Sequence, residues 1–170
     1  MNTSVSSGTQ KSSLGAMRPT ESSRERQGLF EDLLGKGVLL RIRVTGRSMV
    51  PLLCGGEILT IKKISASSLR KGDLVFFKNR DGHPVIHRIV KKYTHNDVLT
   101  FQTRGDALIG FDGPVREEHI LGKVCRVERG RRDLNLETAR WRYMNYLRAM
   151  LSLSGSRLYF TLSTFKNLLA

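Results

Sequence analysis

One serine stands in a context that could support chemistry. Ser48 follows Gly46 and precedes Met49 and Pro51, directly after the alternating run 39–44. Alternation predicts a strand, and the glycine and proline predict an irregular turn, so the strand would deliver the serine to that turn. Because a serine hydroxyl is a weak nucleophile by itself, this stretch would act only with a base supplied elsewhere in the chain.

Two later stretches offer a base and an acid. His87 interrupts the apolar run 85–90, and a lone histidine on a strand is more often structural than catalytic. Asp106 and Asp112 lie in a glycine-containing loop that follows a predicted strand at 98–103. Serine, histidine and aspartate in this order are the parts of a nucleophile, a base and an orienting acid.

The segments that must position these side chains are mostly β-strands. Strands are predicted at 39–44, 58–61, 74–77, 85–90, 98–103 and 120–127. Their close spacing, with turn signals such as Asp81-Gly82, favours a mainly β fold, a coiled β-sheet or partial barrel, over an α/β fold.

Composition divides the chain into three regions. Residues 1–28 are polar and are predicted to be a disordered tail. Residues 29–130 form the strand-rich domain, which opens with a short helix over 29–36. Residues 131–170 are predicted to form a basic amphipathic α-helical extension, in which Gly155 would separate two helices.

Two interpretations of this extension stay open. It could be an amphipathic segment on a membrane surface, with Trp141, Tyr143, Tyr146 and Tyr159 near the interface. Alternatively, its helices pack on the sheet or on a partner.

The charge of the chain is strongly basic. It holds 29 Lys and Arg against 15 Asp and Glu, a net charge of +14. The excess is spread along the chain, which argues against one compact nucleic-acid stripe, and no nucleic-acid partner is expected. An even spread suits loose attraction to an anionic surface, either membrane lipid or nucleic acid, or simple solubility. Neither a signal peptide nor an apolar run long enough to span a membrane is visible, and we expect a cytoplasmic or peripheral membrane location.

Cysteine and histidine spacing indicates neither a metal site nor another cofactor. Cys54 and Cys125 lie far apart and are predicted to be free, buried thiols. The four histidines show no paired-ligand spacing.

Five short motifs, in order, resemble the boxes of the type I signal peptidases. They are Gly46-x-Ser48-Met49-x-Pro51, Lys71-Gly72-Asp73-Leu74-Val75, His87-Arg88-Ile89-Val90, Arg104-Gly105-Asp106 with Asp112, and Ile120-x-Gly122-Lys123-Val124. The resemblance covers roughly residues 38–128 and is to the archaeal and endoplasmic-reticulum branch. The wider group, the S24/S26 superfamily, includes LexA-like self-cleaving repressors.

The resemblance implies a role for each site residue. Bacterial signal peptidases and LexA-like proteins use a lysine base, where this chain has His87. Ser48 would be the nucleophile, His87 the general base, and Asp112 the residue that holds the imidazole tautomer. Asp106 would support the loop or share that role.

The resemblance also implies how the oxyanion is held. Backbone N–H groups around Ser48 and Met49 would bind it, because Gly46 stands where some relatives have a hydroxyl. Met49 and Pro51 would shape the turn and the substrate wall. Glu57 stands where relatives usually have aspartate.

Together these features predict a serine endopeptidase that cleaves a leader-type segment of a protein substrate. By resemblance, small residues would precede the scissile bond, and the substrate would bind as an added strand. Two alternatives are a LexA-like self-cleaving regulator and a catalytically idle binding module with a basic surface. The first would need a DNA-binding domain, for which residues 1–37 are too short and too polar.

Overall fold

The computed structural model describes residues 21–153, which form one antiparallel sheet and two helices. The elements are α1 (Glu21–Gly35), β1 (Leu40–Arg43), β2 (Ile58–Lys62), β3 (Leu74–Lys78), β4 (Pro84–His95), β5 (Val98–Arg104), β6 (Val115–Arg116), β7 (Ile120–Arg129), β8 (Arg132–Asn135) and α2 (Ala139–Leu153). The prediction of a mainly β, curled sheet with a C-terminal helix is confirmed.

The order of the strands in space is β1-β2-β7-β3-β4-β5-β6, with β8 also paired to β7. Register shifts interrupt the β2–β7, β3–β7 and β4–β5 ladders. Such irregularities bend strands and increase twist, which suits a sheet that curls into a partial barrel. Among the described strands, the first part of β4 pairs with β3 only, since its pairing with β5 begins at Arg88.

Apolar side chains cover both faces of the sheet, as the four-residue apolar run in β3 shows. Leu74 and Phe76 belong to one buried cluster, whereas Val75 and Phe77 belong to another. Successive residues of a strand point to opposite faces, so an unbroken apolar run fits a central strand buried on both sides.

Helix α1 begins earlier than the sequence predicted. The apolar pattern marked only 29–36, and residues 21–28 were assigned to the disordered tail, but the structure places 21–28 in the helix. Arg, Glu and Gln favour helix formation, but residues 21–28 show no apolar periodicity. The apolar pattern therefore does not indicate that the helix begins there. The helix ends as predicted at Gly35, and Leu34 is buried in the first cluster. The rest of the predicted tail lies outside the described residues.

Helix α2 packs on the sheet, as one of the two interpretations of the extension proposed. Ala149 and Asn145 are buried, and Trp141 packs against the first cluster. Tyr143 and Tyr146 remain exposed. The second helix predicted beyond Gly155, with Tyr159, lies outside the described residues. Neither α1 nor α2 is long and apolar enough to cross a membrane.

The two cysteines are free, as predicted. Their predicted burial was wrong for Cys54, which is exposed, whereas Cys125 is half-buried. Burial raises the pKa of the Cys125 thiol, an effect to which the carboxylate of Glu137 adds.

Candidate active site

Ser48 lies in a tight turn just beyond β1. The Val50 N–H bonds to the carbonyl oxygen of Arg47 at 3.2 Å, and the Leu53 N–H bonds to that of Met49 at 2.9 Å. Met49 and Leu53 are buried and anchor the turn on the first cluster. The half-buried Ser48 is therefore held by backbone hydrogen bonds and by packing.

His87 lies on β4 and joins Ser48 to Asp112. Its Nε2 is 3.1 Å from the Ser48 hydroxyl oxygen, and its Nδ1 is 2.7 Å from Oδ2 of Asp112. When Nδ1–H donates to the carboxylate, Nε2 is left free to accept from the serine hydroxyl. The His87 side chain is 7% exposed and packs beside Phe77, so the orientation of its ring is fixed on several sides.

Thr103 in turn orients Asp112. The Thr103 hydroxyl donates to Oδ2 of Asp112 at 2.7 Å, and the Asp112 N–H bonds to the Thr103 carbonyl oxygen at 2.9 Å. Thr103 is not among the site residues that the sequence predicts. The sequence feature that could have indicated this contact is the position of Thr103 at the end of a strand, directly before the loop with Asp106 and Asp112.

Asp106 pairs with Arg88, whereas His87 pairs with Asp112. Both Asp106 carboxylate oxygens accept hydrogen bonds from the buried Arg88, at 2.7 and 2.6 Å. A third Arg88 donor binds the Gly72 carbonyl oxygen at 2.9 Å. A buried guanidinium requires a charged partner, and Asp106 provides it, so these contacts favour the loop-supporting alternative.

The loop that contains Asp106 packs on the turn that holds Ser48. The Ala107 N–H donates to the Ser48 carbonyl oxygen at 2.8 Å. A Cβ at Gly105 would lie 2.7 Å from that same oxygen, so only glycine allows this approach.

The predicted oxyanion donors are available. Within residues 21–153, no backbone carbonyl accepts from the N–H of Ser48 or Met49. Gly46 offers no side-chain donor, as the sequence analysis expected.

A groove of about 550 Å³ runs beside Ser48. Its wall is mostly apolar and includes Phe30, Ile42, Val44, Met49, Leu53, Phe76, Val85 and Ile86. Met49 thus has the predicted wall position, whereas Pro51 is half-buried in the turn, away from this wall. Phe30 is not predicted from the sequence, because nothing in a helical pattern indicates contact with a groove.

Two strand edges that have no partner strand within residues 21–153 flank this groove. β1 lies at the end of the sheet order, and the Pro84–Ile86 part of β4 pairs with β3 but not with β5. Free edges offer unpaired backbone groups, so the groove suits an extended polypeptide bound by strand addition.

Glu57 stabilises the turn that follows Ser48, and the sequence did not indicate this contact. Its carboxylate accepts from the N–H groups of Cys54 and Gly55, at 2.9 and 2.8 Å, and from Nε of Arg129 at 3.0 Å. Burial favours a raised pKa for Glu57, but the backbone and Arg129 hydrogen bonds outweigh it and hold its pKa below the usual value. Arg129 also donates to the Leu52 carbonyl oxygen. Glu57 and Arg129 together therefore hold the backbone of the turn at several points.

Comparison with known proteins identifies the family to which this chain belongs. Residues 10–125, more than half of the chain, match the Peptidase S24-like family, and the chain belongs to that family. The predicted S24/S26 superfamily is thereby confirmed, and membership supports a serine-type peptidase.

A curated relative gives a narrower comparison. The chain is 34% identical over 86 residues to Signal peptidase I W of Bacillus subtilis (strain 168). The match covers 49% of this chain and 45% of that protein, so the chain spans less than half of its relative's length in the comparison.

Proposed function

We propose that this chain is a serine endopeptidase of the signal peptidase type, in the branch with a histidine base. Ser48 is the nucleophile, His87 the general base, and Asp112 the acid that orients it. The observation that carries this assignment is the continuous contact from Ser48 Oγ to His87 Nε2 and from His87 Nδ1 to Asp112, at 3.1 and 2.7 Å.

The catalytic cycle follows from these contacts. His87 Nε2 takes the hydroxyl proton as Ser48 Oγ attacks the scissile carbonyl, and Asp112 stabilises the resulting imidazolium. The N–H groups of Ser48 and Met49 bind the oxyanion. His87 then protonates the leaving amine, and the same base activates a water molecule that hydrolyses the acyl-enzyme.

The substrate is an extended leader-type segment of another protein. Its residues before the scissile bond would lie in the groove between β1 and the start of β4, where both edges can add a strand. Resemblance to signal peptidases favours small residues next to the cleaved bond.

One observation favours the LexA-like alternative. Phe30 on α1 lines the same groove as Ser48, so a helix of the chain itself borders the groove. The S24-like family is equally compatible with self-cleavage. Incubation of the purified chain alone, followed by intact mass measurement, separates the two: only self-cleavage releases an N-terminal fragment.

An acyl-trapping reagent tests the proposal against an idle binding module. We expect a serine-directed reagent to label the parent once, at Ser48 by peptide mapping. Ser48→Ala should lose the label, whereas Ser67→Ala, which removes an exposed hydroxyl far along the chain, should keep it. Labelling elsewhere, or none in the parent, would contradict the assignment.

A further inference from the structure

The turn before β3 packs closely against helix α2 at Gly72. A Cβ at Gly72 would lie 2.8 Å from the Tyr146 backbone nitrogen, so the helix rests directly on the turn. The Gly72 N–H bonds to the Ile89 carbonyl oxygen, and the Ile89 N–H bonds to that of Asp73. Side chains from the turn and the helix therefore hold a fixed relative position.

A cavity of about 290 Å³ opens where these two elements meet. Three cationic side chains line it: Arg70 and Lys71 from the turn and Arg142 from the helix. The acid in the wall, Asp73, is already engaged, because Oδ1 lies 2.7 Å from Nζ of Lys123 and Oδ2 accepts from the Arg70 N–H. Within residues 21–153, no carboxylate forms an ion pair with any of the three cations, so the cavity carries uncompensated positive charge.

The surface of α2 beside this cavity is amphipathic. Tyr143, Tyr146 and Met150 are 62%, 44% and 41% exposed, and they share the helix face that also carries Arg142. The Lys71 ammonium lies 5.8 Å from the centre of the Tyr146 ring, so the aromatic and cationic groups form one continuous patch. Tyrosine combines an apolar ring with a polar tip, which is the chemistry favoured at a membrane–water interface.

We propose that this patch docks the protein on an anionic lipid surface, with a lipid phosphate in the cavity. Arg70, Lys71 and Arg142 bind the phosphate, while Tyr143 and Met150 enter the headgroup region. Charge complementarity selects an anion, and the adjoining apolar face selects a bilayer over a free phosphate or a nucleic acid. This inference is independent of the peptidase proposal, since docking is measured without cleavage.

Vesicle flotation with the full chain tests the proposal. The parent should bind vesicles of phosphatidylcholine that contain phosphatidylglycerol, and should not bind vesicles of phosphatidylcholine alone. Arg70→Gln with Arg142→Gln should weaken binding by on the order of tenfold. Arg131→Gln with Arg132→Gln, which removes two exposed charges from the β7–β8 turn, is the matched control and should weaken it by no more than about twofold.

Further measurements distinguish a lipid bilayer from the other possible ligands of this patch. Tyr143→Ser with Met150→Ser should weaken vesicle binding, as expected if the apolar face enters the bilayer. Equal losses of vesicle binding in the two double arginine variants would overturn the proposal, because they would indicate diffuse electrostatic attraction. It would also be overturned by oligonucleotide or inorganic phosphate binding that depends on Arg70 and Arg142 without any vesicle binding. Unfolding curves for each variant confirm that the fold is retained.

Discussion

The Ala107 N–H donates a hydrogen bond to the carbonyl oxygen of Ser48 at 2.8 Å. The neighbouring Asp106 is held by Arg88, which directly follows His87 on β4. One buried ion pair therefore connects the strand of the proposed base with the turn of the proposed nucleophile.

Removing Arg88 should destabilise the protein strongly. Arg88→Met leaves the Asp106 carboxylate buried without a partner, which typically costs about 3–5 kcal/mol of unfolding free energy. The double variant Arg88→Met/Asp106→Leu should recover much of this loss, because it also removes the unpaired Asp106 carboxylate. Urea unfolding measures both.

The exposed pair of Arg126 and Asp133 provides the control for this experiment. Asp133→Asn should change the unfolding free energy by less than about 1 kcal/mol. A single Arg88→Met variant as stable as the parent would show that the pair does not hold the loop.

Asp112→Asn should impair turnover without unfolding the protein. An amide cannot stabilise the imidazolium and favours the wrong tautomer of His87, so kcat should fall by roughly a thousandfold to ten-thousandfold. The KM and the unfolding midpoint should change little. Asp81→Asn, in the exposed β3–β4 turn, should leave kcat unaltered, and a similar kcat for both variants would remove Asp112 from the mechanism.

Phe30 should limit the size of the substrate side chains. It lines the groove and contacts Phe76 edge-on, with ring centres 5.8 Å apart. Phe30→Ala opens space there, so kcat/KM for a peptide with a bulky apolar residue before the scissile bond should rise by about tenfold relative to an alanine peptide.

Leu29→Ala is the matched control for the Phe30 experiment. Leu29 is the preceding residue of α1, is exposed and lies outside the groove wall. An unchanged size preference in Phe30→Ala, or the same shift in Leu29→Ala, would contradict the role of Phe30.

Glu57 should make stability depend on pH in mild acid. Its folded pKa lies below the ordinary value of 4.5, so between these two values the unfolded chain binds more protons. Stability therefore rises with pH across this window, and is lost as pH falls through the folded value. Denaturant unfolding at several pH values should show this dependence reduced in Glu57→Gln, but retained when the exposed Glu117 is changed to Gln.

The sequence predicted six of the eight described strands and the residues that the structure brings together around His87, and it failed where tertiary contacts decide. Ser48 and His87 were identifiable from their motifs and order. Asp106 and Asp112 were not separable, because both lie in one loop and only the buried Arg88 distinguishes them. β8 was missed because its charged residues show no apolar alternation.

Cleavage by active-site variants tests the central claim most directly. With a peptide that the parent cleaves, Ser48→Ala and His87→Ala should each lower kcat/KM by at least about a thousandfold, and the double variant should be little worse, since the two residues act as one unit. Cleavage by Ser48→Ala at the rate of the parent would contradict the account.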